Sequence, residues 1–338
     1  MGYIQRRLMQ YYSDILPSEL MGSASEDLKE NKKNSYEVSV IIVTYNPVWE
    51  KLIATLKSII IQRNILLQVV ISDDGSRENY FRELKDYFDK ISFQNYIMIS
   101  NSENQGTVIN VLRGVQAATG KYVKTISPGD CLTDENVLSS WVEELVIKNI
   151  DWSFSDAIYY KIEKGNIDIV QEKAYPANIR PYVRNKTEKC RWNYCVLDDI
   201  ALGAAIMVKK QVIEKYLRRI VGKVRYAEDN IWRLMMFDGL IGSYFPHPAV
   251  YYELGSGIST CGNDLWGKRL EEDWNAATEE MVSGVWKNDV FQMKANCALK
   301  KLKSKNRLHH IFVNGKIGMY LLKKFAWRKT KMDVISDM

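Results

Sequence analysis

Ser39–Pro47 reads SVIIVTYNP, Val69–Ser76 reads VVISDDGS and Lys121–Asp130 reads KYVKTISPGD. Each segment is an apolar run that ends on polar or acidic residues. Continuous apolar runs of this length are the pattern of strands buried on both faces of a parallel sheet. In open α/β sheets, ligands lie beyond the carboxyl ends of the strands, near the point where strand order switches. The three strand ends carry Thr44-Tyr45-Asn46, Asp73-Asp74 and Asp130. They predict a pocket for a polar ligand, a nucleotide together with a metal.

Working outward, helices and strands alternate. Leu52, Leu56, Ile59 and Ile60 recur at helical spacing behind Pro47, which sits where a helix starts. Strands are expected at Val38–Val43, Leu66–Ile71, Tyr96–Ile99 and Tyr122–Ile126. Helices are expected from Tyr80 to Phe88, with Ser76 as cap, from Thr107 to Ala118, and from Val137 to Val146, with Asp134 as cap. This alternation implies right-handed crossovers and a mostly parallel sheet. After Ile150 the pattern changes. Trp152–Asp156 and Ile158–Ile162 read as two strands, and Pro176–Asp199 as a long aperiodic loop over the pocket. Gly203–Val208 reads as a strand, Ala227–Met236 as a helix, and two short strands end at Glu253. Tyr3–Leu20 forms an amphipathic helix, and Ser23–Ser35 a linker rich in Ser, Glu, Lys and Asn.

Composition narrows the class. The chain has 338 residues, a formal net charge of +6 and five cysteines with no paired metal spacing. An odd, scattered set points to reduced thiols in a cytoplasmic compartment. Cys190 and Cys195 read as packing residues rather than a zinc site. Arg6 and Arg7 are not followed by a continuous apolar core, so no secretory leader is read. No window has the ~20 apolar residues of a spanning helix. The positive charge is concentrated at the end: residues 300–332 hold eleven Lys or Arg and no Asp or Glu, interleaved with Leu308, Ile311, Phe312, Phe325 and Trp327. Two readings stay open for this segment, an anionic membrane surface or a helix packed on the domain with a solvated basic face. No motif for nucleic acid accompanies the charge.

The ordered set VTYNP, SDDGS, NQGTVINVLRGVQAATGKYVKTISPGD resembles the nucleotide-binding half of glycosyltransferase family 2, from Glu37 to Thr260, about two thirds of the chain. The resemblance implies an α/β fold of GT-A (Rossmann-like) type, its sheet flanked by helices and followed by a helical C-terminal extension. The organisation it suggests is an N-terminal helix and linker (1–36), a catalytic domain (37–262) and a basic helical extension (263–338). It implies that Thr44, Tyr45, Asn46, Asp73, Asp74, Asn104 and Gly106 bind the nucleotide of a nucleotide-sugar donor, most simply a UDP-linked one. The fourth strand of the family ends in an Asp-any-Asp pattern that holds Mg²⁺ or Mn²⁺. Here Ser127-Pro128-Gly129-Asp130 retains only the last carboxylate, so Asp130 is the expected metal ligand. Glu228-Asp229 matches the family's Glu-Asp motif, with Asp229 as general base and Glu228 beside it. An acidic pair at a helix start also answers the helix dipole. Asp156, Gly203, Ala204 and Ser259 are placed by the same likeness around donor sugar and acceptor. Trp192 and Tyr194 are candidates to stack on an acceptor. The Gly255–Thr260 loop is a candidate lid.

The expected activity is inverting transfer of one sugar to the hydroxyl of a saccharide or lipid-linked saccharide. The setting is cell-surface polysaccharide assembly, in the cytoplasm or peripherally on the inner face of the membrane. Two alternatives stay open. A sugar nucleotidyltransferase shares the layout but places a Gly-rich loop with a basic residue where Thr44-Tyr45-Asn46-Pro47 stands. A non-catalytic partner subunit of the same fold would fit the reduced Ser127–Asp130 loop.

Overall fold

The computed structural model describes residues 2–20, 37–170, 174–255, 264–284 and 289–303. The N-terminal stretch forms α1 (Tyr3–Tyr12) and α2 (Pro17–Leu20). The core then runs β1 (Val38–Thr44), α3 (Trp49–Ile60), β2 (Leu67–Asp73), α4 (Phe81–Lys90), β3 (Tyr96–Ser100), α5 (Thr107–Ala117), β4 (Tyr122–Ile126), β5 (Cys131–Leu132) and α6 (Val137–Ile147). Next come β6 (Trp152–Glu163), β7 (Asn166–Val170), α7 (Arg180–Val183), α8 (Thr187–Cys195), β8 (Ile206–Lys209) and α9 (Lys210–Ile220). They are followed by α10 (Asn230–Phe237), β9 (Ser243–Glu253), α11 (Asp264–Ser283) and α12 (Val290–Lys303). Among these helices none is long and apolar enough to cross a membrane.

The sheet is mixed, in the order β3-β2-β1-β4-β8-β6-β9-β5, with β7 on β6. The first four strands are parallel, as the unbroken apolar runs predict. Thr44 pairs with Asp73, Asp73 with Ser100, and Ile42 with Ile126, so all four strands end on one edge. β8 then runs antiparallel to β4, and β6 antiparallel to β8. Period-two alternation sorts the side chains. Val38, Val40 and Ile42 meet α3, α4 and α6 on one face, while Ile41 meets α5 and the C-terminal helices on the other. Trp141 shows how tightly the first face is filled. It is fully buried, stacks on Phe245 at 5.2 Å and donates its indole N–H to Ser153 Oγ at 2.6 Å. Truncating such an aromatic costs roughly 3–5 kcal/mol. A third cluster joins Leu8 and Tyr11 of α1 to Ile158, Tyr160 and Tyr251, covering the sheet's far end.

Several elements differ from the sequence expectation. Pro176–Asp199 is not a loop but carries α7 and α8. In α8, Cys190, Asn193, Tyr194 and Cys195 are buried and Arg191 and Trp192 half-buried, while the exposed polar residues Thr187, Glu188 and Lys189 are confined to its first turn, so no repeating polar stripe marks the helix. The two strands expected at 152–162 are one, and so are the two before Glu253. The β6–β9 register slips around Asp156, opposite Pro248; a proline with no N–H is tolerated at such an irregularity. Gly203–Ala205 is a single 3₁₀ turn ahead of β8. Ser76 does not cap α4. Its hydroxyl donates to Asp73, its N–H does the same at 2.9 Å, and Asn79 Oδ1 takes the Phe81 N–H instead. Asp134 accepts the Asn136 N–H at 2.8 Å, one residue short of α6.

Candidate active site

The carboxyl edge of the parallel strands opens into a cavity of about 820 Å³, within the usual range for small-molecule sites. Thr44, Tyr45, Asn46, Asp74, Asn104 and Gly106 all line it. Asp73 does not. Adjacent residues on a strand point to opposite sides, and Asp73 turns inward. There its carboxylate accepts from Thr44 Oγ1 (3.0 Å), Ser100 Oγ (3.0 Å) and both donors of Ser76. It is a buried turn-former, which corrects its assignment to the ligand. Asp74 is also buried, but it shapes the cavity wall. Its Oδ1 accepts from Asn101 Nδ2 (2.7 Å) and the Gln105 N–H (2.9 Å), and its Oδ2 from the Gly106 N–H (2.8 Å). Three donors on one carboxylate fix the 101–106 loop. Asn110 of α5 ties the strand ends together, donating to Thr44 O (3.2 Å) and Ser72 O (3.0 Å).

This wall is joined to the acidic pair. Gly106 has φ +93°, and a Cβ there would lie 2.4 Å from Arg225 Cγ. Only glycine allows the 225 segment to cross so closely. Arg225 O accepts the Val108 N–H at 3.1 Å, and Arg225 Nη2 donates to Asn104 O at 3.1 Å. From the other side Asp273 of α11 accepts the N–H groups of Arg225 (3.0 Å), Tyr226 (2.7 Å) and Ala227 (3.0 Å). The segment that delivers Glu228 and Asp229 is thus clamped on both flanks.

Glu228 and Asp229 line the cavity at the start of α10. The surrounding protein raises both carboxyls, first by desolvation. For Glu228 the neighbouring charges of Asp229 and Asp273 raise it further, whereas Trp232 and Lys124 pull Asp229 back. Trp232 donates its indole N–H to Asp229 Oδ1 at 3.4 Å. Gly203 lies directly against this carboxylate: a Cβ on it would meet Asp229 Oδ1 at 2.0 Å. Gly203 and Ala204 line the cavity from a 3₁₀ turn rather than from a strand.

Asp130 is 6 % exposed and faces the cavity. Burial raises its carboxyl to about 7, opposed by the Glu253 N–H, at 3.1 Å from Oδ1, and by Lys124. Glu253, at the end of β9, lines the same wall and accepts from Lys51 Nζ at 2.6 Å. Among the described residues no three His, Cys, Asp or Glu form a metal cluster. The Asp130–Glu253 pair nevertheless fits a hard divalent cation that takes its remaining ligands from phosphate oxygens. A cation there would offset the charge that burial disfavours on Asp130.

Asp156 is not among the cavity residues. It sits on β6 and accepts from Tyr244 Oη at 2.7 Å. Trp192 and Tyr194 are packed in the core, and the aromatics that line the cavity are instead Tyr45, Tyr226, Tyr252, Trp266 and Trp274. Ser259, and with it the expected lid, lies outside the described residues. Sequence reading missed Lys51, Lys124, Asp273 and Glu253. Of these only Lys124 leaves a trace, a charged residue inside the apolar run YVKTI.

The Glycosyl transferase family 2 model matches residues 39–217, and the chain belongs to that family. An uncharacterized glycosyltransferase of Rickettsia conorii is 26% identical over 180 residues, covering 52% of this chain and 28% of that one. Another, of Mycoplasma genitalium, is 33% identical over 99 residues, covering 29% of this chain and 33% of that one. The chain thus matches about a third or less of the length of these relatives. Among solved structures, S. aureus TarS 1–349 superposes with a TM-score of 0.52 at 14% identity, covering 81% of this chain and 72% of that one. TarS 1–349 in complex with UDP-GlcNAc gives 0.51 at 13% identity, covering 83% and 80%. A UDP complex of TarS is similar at a TM-score of 0.51, with 14% identity and 82% and 78% coverage. At these identities the likeness speaks for the fold.

Proposed function

We propose that the chain transfers one sugar, with inversion, from a UDP-linked donor to a hydroxyl of a saccharide or lipid-linked saccharide in cell-surface polysaccharide assembly. The observation that carries this is a single cavity lined by the strand-end residues Thr44–Asn46 and Asp74, by Asp130, and by Asp229. The TarS complexes with UDP and UDP-GlcNAc, on the same fold, support UDP as the nucleotide.

In this reading Thr44, Tyr45, Asn46, Asp74, Asn104 and Gly106 hold the nucleotide. Asp130, with Glu253, would hold a divalent cation, which when bound supplies charge neutralisation on the departing diphosphate. Asp229 takes the proton from the acceptor hydroxyl as its oxygen attacks the anomeric carbon. The bond from that carbon to the diphosphate oxygen breaks, and the nucleotide leaves with the electron pair. A single displacement of this kind inverts the anomeric centre. Glu228, its carboxyl raised by burial and then by the charges of Asp229 and Asp273, stands beside the base. Tyr226, Trp266 and Trp274 offer faces on which an acceptor sugar stacks. The basic stretch 300–332, mostly outside the described residues, would hold the enzyme at an anionic lipid surface where such acceptors reside.

The test is release of UDP from UDP-GlcNAc with saccharide acceptors. Asp229→Asn should lower turnover by about 10²–10⁴-fold, the usual share of a general base. Unchanged turnover would sink the assignment.

A further inference from the structure

Lys124 lies in the middle of β4 with no exposed surface, between Val123 and Thr125. A lysine so placed is costly, because its ammonium must leave water. Its Nζ donates to Thr125 O at 2.8 Å and, in a very short contact, to Ala204 O. Among the described residues it forms no ion pair. The two charged groups it faces are Asp130, beyond the end of its own strand, and Asp229, ahead of α10. Ala204 belongs to the 3₁₀ turn whose Gly203 abuts the Asp229 carboxylate.

We propose that Lys124 is the positioning residue of the base: its ammonium seats the Gly203–Ala205 turn against Asp229 and supplies the buried positive charge that this carboxylate faces. The role rests on the reading of Asp229 as base, but its test does not require catalysis. Burial pulls the Lys124 ammonium down to about 7, with Asp130 and then Asp229 opposing the drop. An anionic donor diphosphate in the cavity would favour its charged form further. The other groups around Asp229 are Glu228 beside it, Trp232 one turn on, and Tyr194 from α8. None of these brings a positive charge.

Trp232 provides a reporter, because its indole N–H contacts Asp229 Oδ1. The indole resonance, identified by its loss in Trp232→Phe, is followed by NMR against pH in wild type, Lys124→Met and Lys124→Gln. Removing an opposite charge nearby moves a carboxyl by about one pH unit or more. The midpoint should rise by about that much in both variants. Glutamine keeps a donor for Ala204 O, so a wild-type midpoint in Lys124→Gln would reduce the lysine to a hydrogen bond and overturn the proposal. So would an unchanged midpoint in both. If neither variant folds, the coupling is read from the other side: Asp229→Asn should lower the midpoint of the Lys124 side-chain signal, and an unchanged signal refutes the idea. Loss of UDP release in Asp229→Asn tests the base assignment separately, so the two failures are distinguishable.

Discussion

Gly203→Ala is a substitution whose effect the geometry sets almost alone. The added methyl would lie 2.0 Å from Asp229 Oδ1 and 2.6 Å from both Cγ and Oδ2. Ordinary contact begins at 3.4 Å, so the carboxylate must retreat by about 1.4 Å, the difference of those two distances. The backbone has little room to share the shift. Asp273 pins residues 225–227, and α10 begins at Asn230. The side chain therefore rotates away from the position it holds beside Trp232. A displacement of about 1 Å already costs on the order of 10² in rate. Complete loss of the base would cost about 10²–10⁴, or roughly 2.7–5.5 kcal/mol of barrier. Gly203 has no positive φ, so alanine brings no backbone strain and the melting temperature should change by only a few degrees. The assay is UDP release at saturating donor, with a thermal melt on the same sample. An alanine variant that folds as wild type and turns over as wild type would refute both the placement of Asp229 and its role.

Three further outcomes are expected. Asp273→Ala removes the acceptor of three part-buried N–H groups and loosens the segment carrying the acidic pair, so stability should fall by roughly 1 kcal/mol or more and turnover with it; a melt and a rate on one preparation check it. In metal-free buffer Asp130 and Lys124 make stability pH-dependent in opposite directions. The Asp130 carboxyl rises from 3.8 to about 7, so its contribution is full below the lower value and is lost as pH climbs through 7; Lys124 falls from 10.5 to about 7, so its contribution is present above 10.5 and is lost as pH drops through 7. Asp130→Asn should therefore flatten the acid limb of the stability profile and Lys124→Met the alkaline limb, as melts from pH 4 to 10 would show. Deleting residues after Lys305 should abolish sedimentation with anionic vesicles at moderate salt, and retained binding would exclude the basic segment as the anchor.

The legible part of the fold is the part where burial is two-sided. Val38–Val43 and Leu66–Ile71 contain little but apolar residues because both faces are covered, and their polar ends mark the cavity. Glu228-Asp229 is legible as a local pair. What was not legible depends on contacts between distant segments. Glu253 meets Asp130 across 123 residues, and Asp273 reaches back 48 residues to Arg225. Neither carries a local signature. Asp73 and Asp74 are chemically identical neighbours; only the strand's alternation, combined with Ser76 and Ser100 on one side and the 101–106 loop on the other, assigns them different work. The α8 region was misread because its exposed polar residues are confined to the first turn and the rest is covered, so it lacks the amphipathic periodicity by which helices are recognised.

The most direct measurement is titration calorimetry of UDP, GDP and TDP, each with Mn²⁺ and with EDTA, on wild type and Asp130→Ala. The account predicts UDP binding that requires Mn²⁺, that exceeds binding of GDP and TDP, and that is lost in Asp130→Ala. UDP binding of equal strength in EDTA and in the variant would contradict the metal site, and absence of binding by any nucleotide would contradict the cavity's assignment to a nucleotide-sugar donor.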